Sequence, residues 1–108
     1  MANVKDYKSE YKDLYLSENK NLIMNKKDLL SNLDKIHTTE SGIGRIRRNL
    51  CLDIDDVVGW CKEKVKNKNS SIVRRGKNWY IRADYCEITI NAHSYTIITA
   101  HKVKNIIN

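Results

Sequence analysis

Three histidines, His37, His93 and His101, are the side chains of this sequence that take up and release protons most readily near neutral pH. Around them stand the other parts of a metal-free phosphodiester chemistry. Such cleavage of RNA needs a base for the 2′-hydroxyl proton, an acid for the leaving oxygen, and cations to meet the charge that builds on phosphorus. His101 or His93 can act as the acid or base, with Glu87 or His37 as its partner. Thr96 adds a hydroxyl, and Arg45 and Lys102 are cations within reach of a phosphate. The stretch SYTIITAHK, residues 94–102, poses the question most directly, because a β-branched, apolar strand ends there on an imidazole and an ammonium. We read that ending as delivery of two side chains to a site.

Each histidine also has an ordinary structural explanation. His37 follows a helix end, where an imidazole can engage the last carbonyls. His93 lies in a turn, and His101 near the end of a strand can be a satisfied edge residue. Zinc is a poor match for these histidines, since no two of them sit three or four residues apart. Two further stretches bear on a polyanion. IVRRGKNWYIR, residues 72–82, sets Arg74, Arg75, Lys77 and Arg82 around Trp79 and Tyr80, joining phosphate-binding cations to ring faces on which bases stack. Strand alternation turns one aromatic inward and one outward, so Tyr80 is the ring left for a base and Trp79 belongs to the core. SGIGR, residues 41–45, opens a helix with two glycines, and Arg45, Arg47 and Arg48 form a second basic group behind it.

Several elements must position these groups. Tyr7, Tyr11 and Leu14 have helical spacing and form an amphipathic opening segment. Leu29, Leu30, Leu33 and Ile36 mark a second helix from Lys26 to Ile36. Thr39 or Ser41 caps a third, with Ile43, Ile46 and Leu50 inward. DIDDVVGWCKEKVKNK reads as a fourth, capped by Asp53, with Val57, Trp60, Cys61 and Val65 buried and lysines at its negative end. After residue 69 the period changes to two, and four short strands joined by turns follow, with Gly76 in the first turn. A tight turn at Ala92-His93 pairs Ile90 with Tyr95 and Ile88 with Ile97 on the core face. Glu87, Thr89, Asn91, Thr96, Ile98 and Lys102 are then left on the open face. The expectation is an α+β fold with N-terminal helices packed on one face of a C-terminal antiparallel sheet of three to four strands. Residues 1–108 form one domain, with 1–25 a helical extension and 26–104 the core.

The composition narrows the partners. The chain of 108 residues has 41% hydrophobic and 31% charged residues, which suits a globular domain rather than a disordered one. No apolar run approaches the ~20 residues of a membrane span, and the N-terminus lacks a signal-peptide core, so the expectation is a cytoplasmic protein with no membrane partner. Cys51, Cys61 and Cys86 are odd in number and widely spaced, which fits neither a disulfide framework nor a structural zinc site. No cofactor or metal is expected. A net charge of +7 attracts polyanions, and RNA is the commonest in a cytoplasm.

HTTESGIGRIRRNL, GKNWY and TINAHSYTIITAHK together resemble a family of small bacterial proteins known only as a domain of unknown function. The resemblance runs from about Leu29 to Lys102 and implies no activity. In element order the chain is also similar to the barnase/RelE-like ribonuclease toxins, a likeness of layout alone. The expected function is an RNA-directed protein of the metal-independent endoribonuclease, toxin type. The alternative is a non-enzymatic protein of a phage or mobile element that inhibits a host nucleoprotein such as a CRISPR effector.

Overall fold

The computed structural model describes residues 26–103, so the expected opening helix around Tyr7, Tyr11 and Leu14 and the 1–25 extension lie outside the described residues. Residues 26–31 are helical (α1), and a 3-10 turn, Leu33–Lys35, follows. Helices α2, Glu40–Leu50, and α3, Val57–Lys66, come next. Four strands complete the order: β1 (Ser71–Arg75), β2 (Asn78–Ala83), β3 (Cys86–Asn91) and β4 (Ile97–Lys102). They form one antiparallel sheet in sequence order, and the α+β expectation is met.

One face of the sheet is apolar and the helices lie on it. Ile72, Trp79, Ile81, Ile88, Ile90, Ile97 and Ala100 from the strands meet Leu29, Ile46, Leu50, Val57, Cys61 and Val65 in a single core. Val57, Cys61 and Val65 recur every four residues, the spacing of one helix stripe. Trp60 was expected in that stripe and is only half-buried; it lies off the line, with the Lys64 ammonium 4.9 Å from its ring centre. The cap of α3 is also displaced from the expected Asp53. Leu52 and Ile54 pack against the core in an extended lead-in. The cap therefore falls to Asp56, which accepts a hydrogen bond from the Gly59 N–H at 2.8 Å. Thr39 caps α2 as expected, accepting from the Gly42 N–H at 3.0 Å.

The second predicted helix does not run through to Ile36. Asn32 Nδ2 donates to the Asp28 carbonyl at 2.8 Å, satisfying a carbonyl that a longer helix would use. The chain then tightens into the 3-10 turn and becomes extended at Ile36, whose side chain is buried. This detour lets His37 join the sheet as a parallel bridge to Thr96.

The β1–β2 turn has Gly76 at φ 58°, the left-handed backbone for which glycine was read there. Between β2 and β3 both turn residues, Asp84 and Tyr85, have positive φ (51° and 62°), as a type I′ hairpin turn requires. Lys64 ties that turn to α3 through an ion pair with Asp84 at 2.7 Å.

The β3–β4 register departs from the sequence reading. Asn91 and Thr96 face each other across the connection, and Ile90 pairs with Ile97 rather than with Tyr95. A bulge then leaves Ile98 without a partner, so Thr89 faces Thr99, Ile88 faces Ala100 and Glu87 faces His101. One extra residue in one strand exchanges the faces of everything beyond it. Thr99 and His101 therefore stand on the open face, in place of the expected Ile98 and Lys102.

Candidate functional site

The register arranges the open face as rows across the sheet. The first row is Ser71, Arg82, Glu87 and His101; the second is Val73, Tyr80, Thr89 and Thr99; the third is Arg75, Asn78 and Asn91. Rows two residues apart along a strand are separated by about 6.7 Å, so the first and third lie roughly 13 Å apart.

The first row is a charge cluster. Glu87 is the central member, its side chain only 13% exposed, and Arg82 Nε donates to it at 2.9 Å. From the opposite strand His101 Nε2 comes to 4.0 Å of the other carboxylate oxygen. The arginine and imidazole are half-exposed, so their outer edges are open to solvent. A carboxylate held by a guanidinium beside an accessible imidazole supplies a proton acceptor, a proton donor and a cation within one row.

The second row centres on Tyr80, half-buried beside the buried Thr89. The Arg75 guanidinium lies over its ring, 4.9 Å from the centre. Trp79 points the other way, 2% exposed, and packs on Tyr95 with ring centres 5.3 Å apart. Its Nε1 has no hydrogen-bond partner among the described residues. The division of the two aromatics is as the alternation predicts.

A third group joins His37 and Thr96 at the other end of β4. His37 Nδ1 lies 2.8 Å from the Lys35 carbonyl, the helix-end contact read from the sequence. A carbonyl only accepts, so Nδ1 carries a proton there, and Nε2 lies 3.2 Å from the Thr96 hydroxyl. Ser94 Oγ continues the chain at 2.8 Å from Thr96 Oγ1 and donates to Asn91 Oδ1 at 3.2 Å. Residues two apart in an extended strand are too far apart for such a contact. Tyr95, at φ 61°, bends the backbone and brings the hydroxyls together. Sequence reasoning set Asn91 on the open face but gave neither it nor Ser94 a role; the signal for them was an asparagine opening a turn, which bonds the backbone N–H groups that follow.

The structure thus joins His101 to Glu87 and His37 to Thr96, and keeps these two groups at opposite ends of the face, roughly 13 Å apart, because Thr96 faces Asn91 in the third row. His93 is exposed in the connecting loop. Among the expected phosphate ligands, Arg75 and Arg82 share the open face and Lys77 is in the turn. Arg74 lies over Trp79 on the helix-covered face, 5.8 Å from the ring centre, and Lys102 is paired with Cys86 on that same side. Arg45 donates to the Ile98 carbonyl at 3.1 Å. Arg47 is tied to the α2–α3 loop through Ile54 and Asp55 carbonyls, whereas Arg48 is exposed. Of the SGIGR glycines, Gly42 is buried within α2, its N–H already bound to Thr39 Oγ1.

Burial pushes the Cys61 thiol up to about 12, with Cys86 adding to the effect, and burial raises Cys86 as well. Among the described residues no group of three or more His, Cys, Asp or Glu side chains is placed to hold a metal ion, and no helix is long and apolar enough to cross a membrane.

No curated protein and no solved structure matches the chain, so the likeness to the barnase/RelE-like ribonucleases rests on element order alone. A family model does match, over residues 30–101, taking in α2, α3, the whole sheet apart from the last residue of β4, and all three groups just described. The chain belongs to that family, DUF3781, proteins of unknown function.

Proposed function

We propose that the protein acts on RNA at its open sheet face, as a metal-independent endoribonuclease. The observation that carries this reading is the Arg82–Glu87–His101 row, where acceptor, donor and cation meet on a sheet face that no described helix covers. Glu87, ion-paired with Arg82, takes the proton of the 2′-hydroxyl. The freed oxygen attacks phosphorus, Arg82 meets the added charge, and His101 protonates the departing 5′-oxygen. The products are a 2′,3′-cyclic phosphate end and a free 5′-hydroxyl. The net charge of +7 supports a polyanionic substrate.

The test is incubation with total RNA in EDTA, followed by end-group analysis. Cyclic phosphate ends, lost in both Glu87→Gln and His101→Ala, are expected. RNA left intact by the wild type removes the enzyme. If a single protein partner then survives nuclease treatment of a lysate capture, the alternative holds: a non-enzymatic inhibitor of a host nucleoprotein.

A further inference from the structure

The Arg75–Tyr80 pair plays no part in the proton transfers, and it occupies the middle and far rows of the same face. Tyr80 is fixed in the sheet, half-buried, while Arg75 is exposed at the end of β1. A guanidinium held over a tyrosine is a flat cation with one side supported and the other free. Such a surface takes the face of a nucleobase and still offers N–H groups to the adjoining phosphate. A lysine in its place would keep the charge and lose the plane.

The charge on this face bears on the form of RNA it can take. Among the described residues its cations are Arg75 and Arg82, and Arg82 stands beside the Glu87 carboxylate. A duplex hides its base faces and is held mainly through phosphates and 2′-hydroxyls, for which two cations flanking a carboxylate offer little. An unpaired strand gains base stacking as well. The roughly 13 Å between the Arg75 and Glu87 rows corresponds to about four nucleotides at the 3.4 Å spacing of stacked bases.

Building on the RNA reading above, we infer that the open face selects unpaired RNA, with Arg75, backed by Tyr80, stacking one base about four nucleotides from the phosphate at Glu87 and His101. Arg75 is then a specificity-determining residue outside the proton-transfer row.

The test compares binding of a short 2′-O-methyl RNA, which cannot be cleaved, as a single strand and as a perfect duplex, by fluorescence anisotropy. Wild-type protein should bind the single strand at least tenfold more tightly. Arg75→Lys should lose roughly tenfold on the single strand and nothing on the duplex. Tyr80→Phe should bind like wild type, and Tyr80→Ala should resemble Arg75→Lys. Equal or tighter binding of the duplex, or an Arg75→Lys protein indistinguishable from wild type on the single strand, overturns the inference while leaving RNA as the partner. Binding of neither form overturns the RNA reading and this inference with it.

Discussion

Single residues divide into those that work through exposure and those that work through burial, and the cysteines show the second kind most sharply. Cys61 is fully buried between Val57 and Val65 along α3. Its thiol, pushed up to about 12, holds its proton through neutral and mildly alkaline pH. In the unfolded chain the same thiol ionises near its ordinary 9.0. The folded state therefore binds this proton more tightly. Its stabilising contribution is complete below pH 9 and is lost as the pH rises from 9 toward 12. Urea titrations between pH 9 and 11 should show wild-type stability falling more steeply than that of Cys61→Ala, by up to about 1.4 kcal/mol per pH unit. Parallel slopes would contradict it. Cys51, exposed at the left-handed end of α2, should be alkylated by iodoacetamide well before Cys61.

At the scale of elements, the packing of α2 along β4 explains Arg45, one of the expected phosphate ligands. Thr38 Oγ1 donates to the Ile97 carbonyl at 3.0 Å, Arg45 to Ile98 and Asn49 Nδ2 to Ala100 at 3.2 Å. These side chains satisfy the outer edge of β4, which would otherwise offer open carbonyls to another strand. Gly42 belongs to the same device, because a Cβ there would collide with Thr38 Oγ1. Arg45 is therefore first a structural clamp, and sequence reasoning had no means to see this, since its acceptor lies 53 residues away. The bulge at Ile98 was hidden for a related reason. The sequence IITAHK alternates acceptably in either register, and only the Asn91-capped connection and the α2 contacts select one. The helix stripes, the caps at Thr39 and Gly76's turn were legible because each depends on neighbours within a few residues. Asn49→Ala should lower stability by about 1 kcal/mol in a denaturant titration, while its RNA affinity matches wild type. A stability loss within error of zero would mean that the clamp does not hold β4.

For the whole molecule, a charge of +7 is a property of the chain that says little about where a polyanion sits. The fold distributes the cations unevenly between the open face and the scaffold. Arg45 and Arg47 bind carbonyls, Arg74 covers Trp79, and Lys64 pairs with Asp84. Arg75 and Arg82 remain on the open face beside Tyr80, Glu87 and His101. This sorting depends on strand register: composition gives the charge and the sequence the residue types, while the folded sheet fixes which face Arg75 and the adjacent Arg74 each share with their ring partners. The sorting can be read from salt dependence. Each phosphate neutralised on a single strand adds about 0.7 to the slope of log affinity against log salt. Two open-face arginines predict a magnitude near 1.4, far below what the full basic surface would give. Arg75→Ala should reduce it by about 0.7, whereas Arg74→Ala and Arg47→Ala should leave it unchanged and lower stability instead. If Arg74→Ala and Arg75→Ala reduce the slope equally, the polyanion does not distinguish the two faces, and the open face is not where it binds.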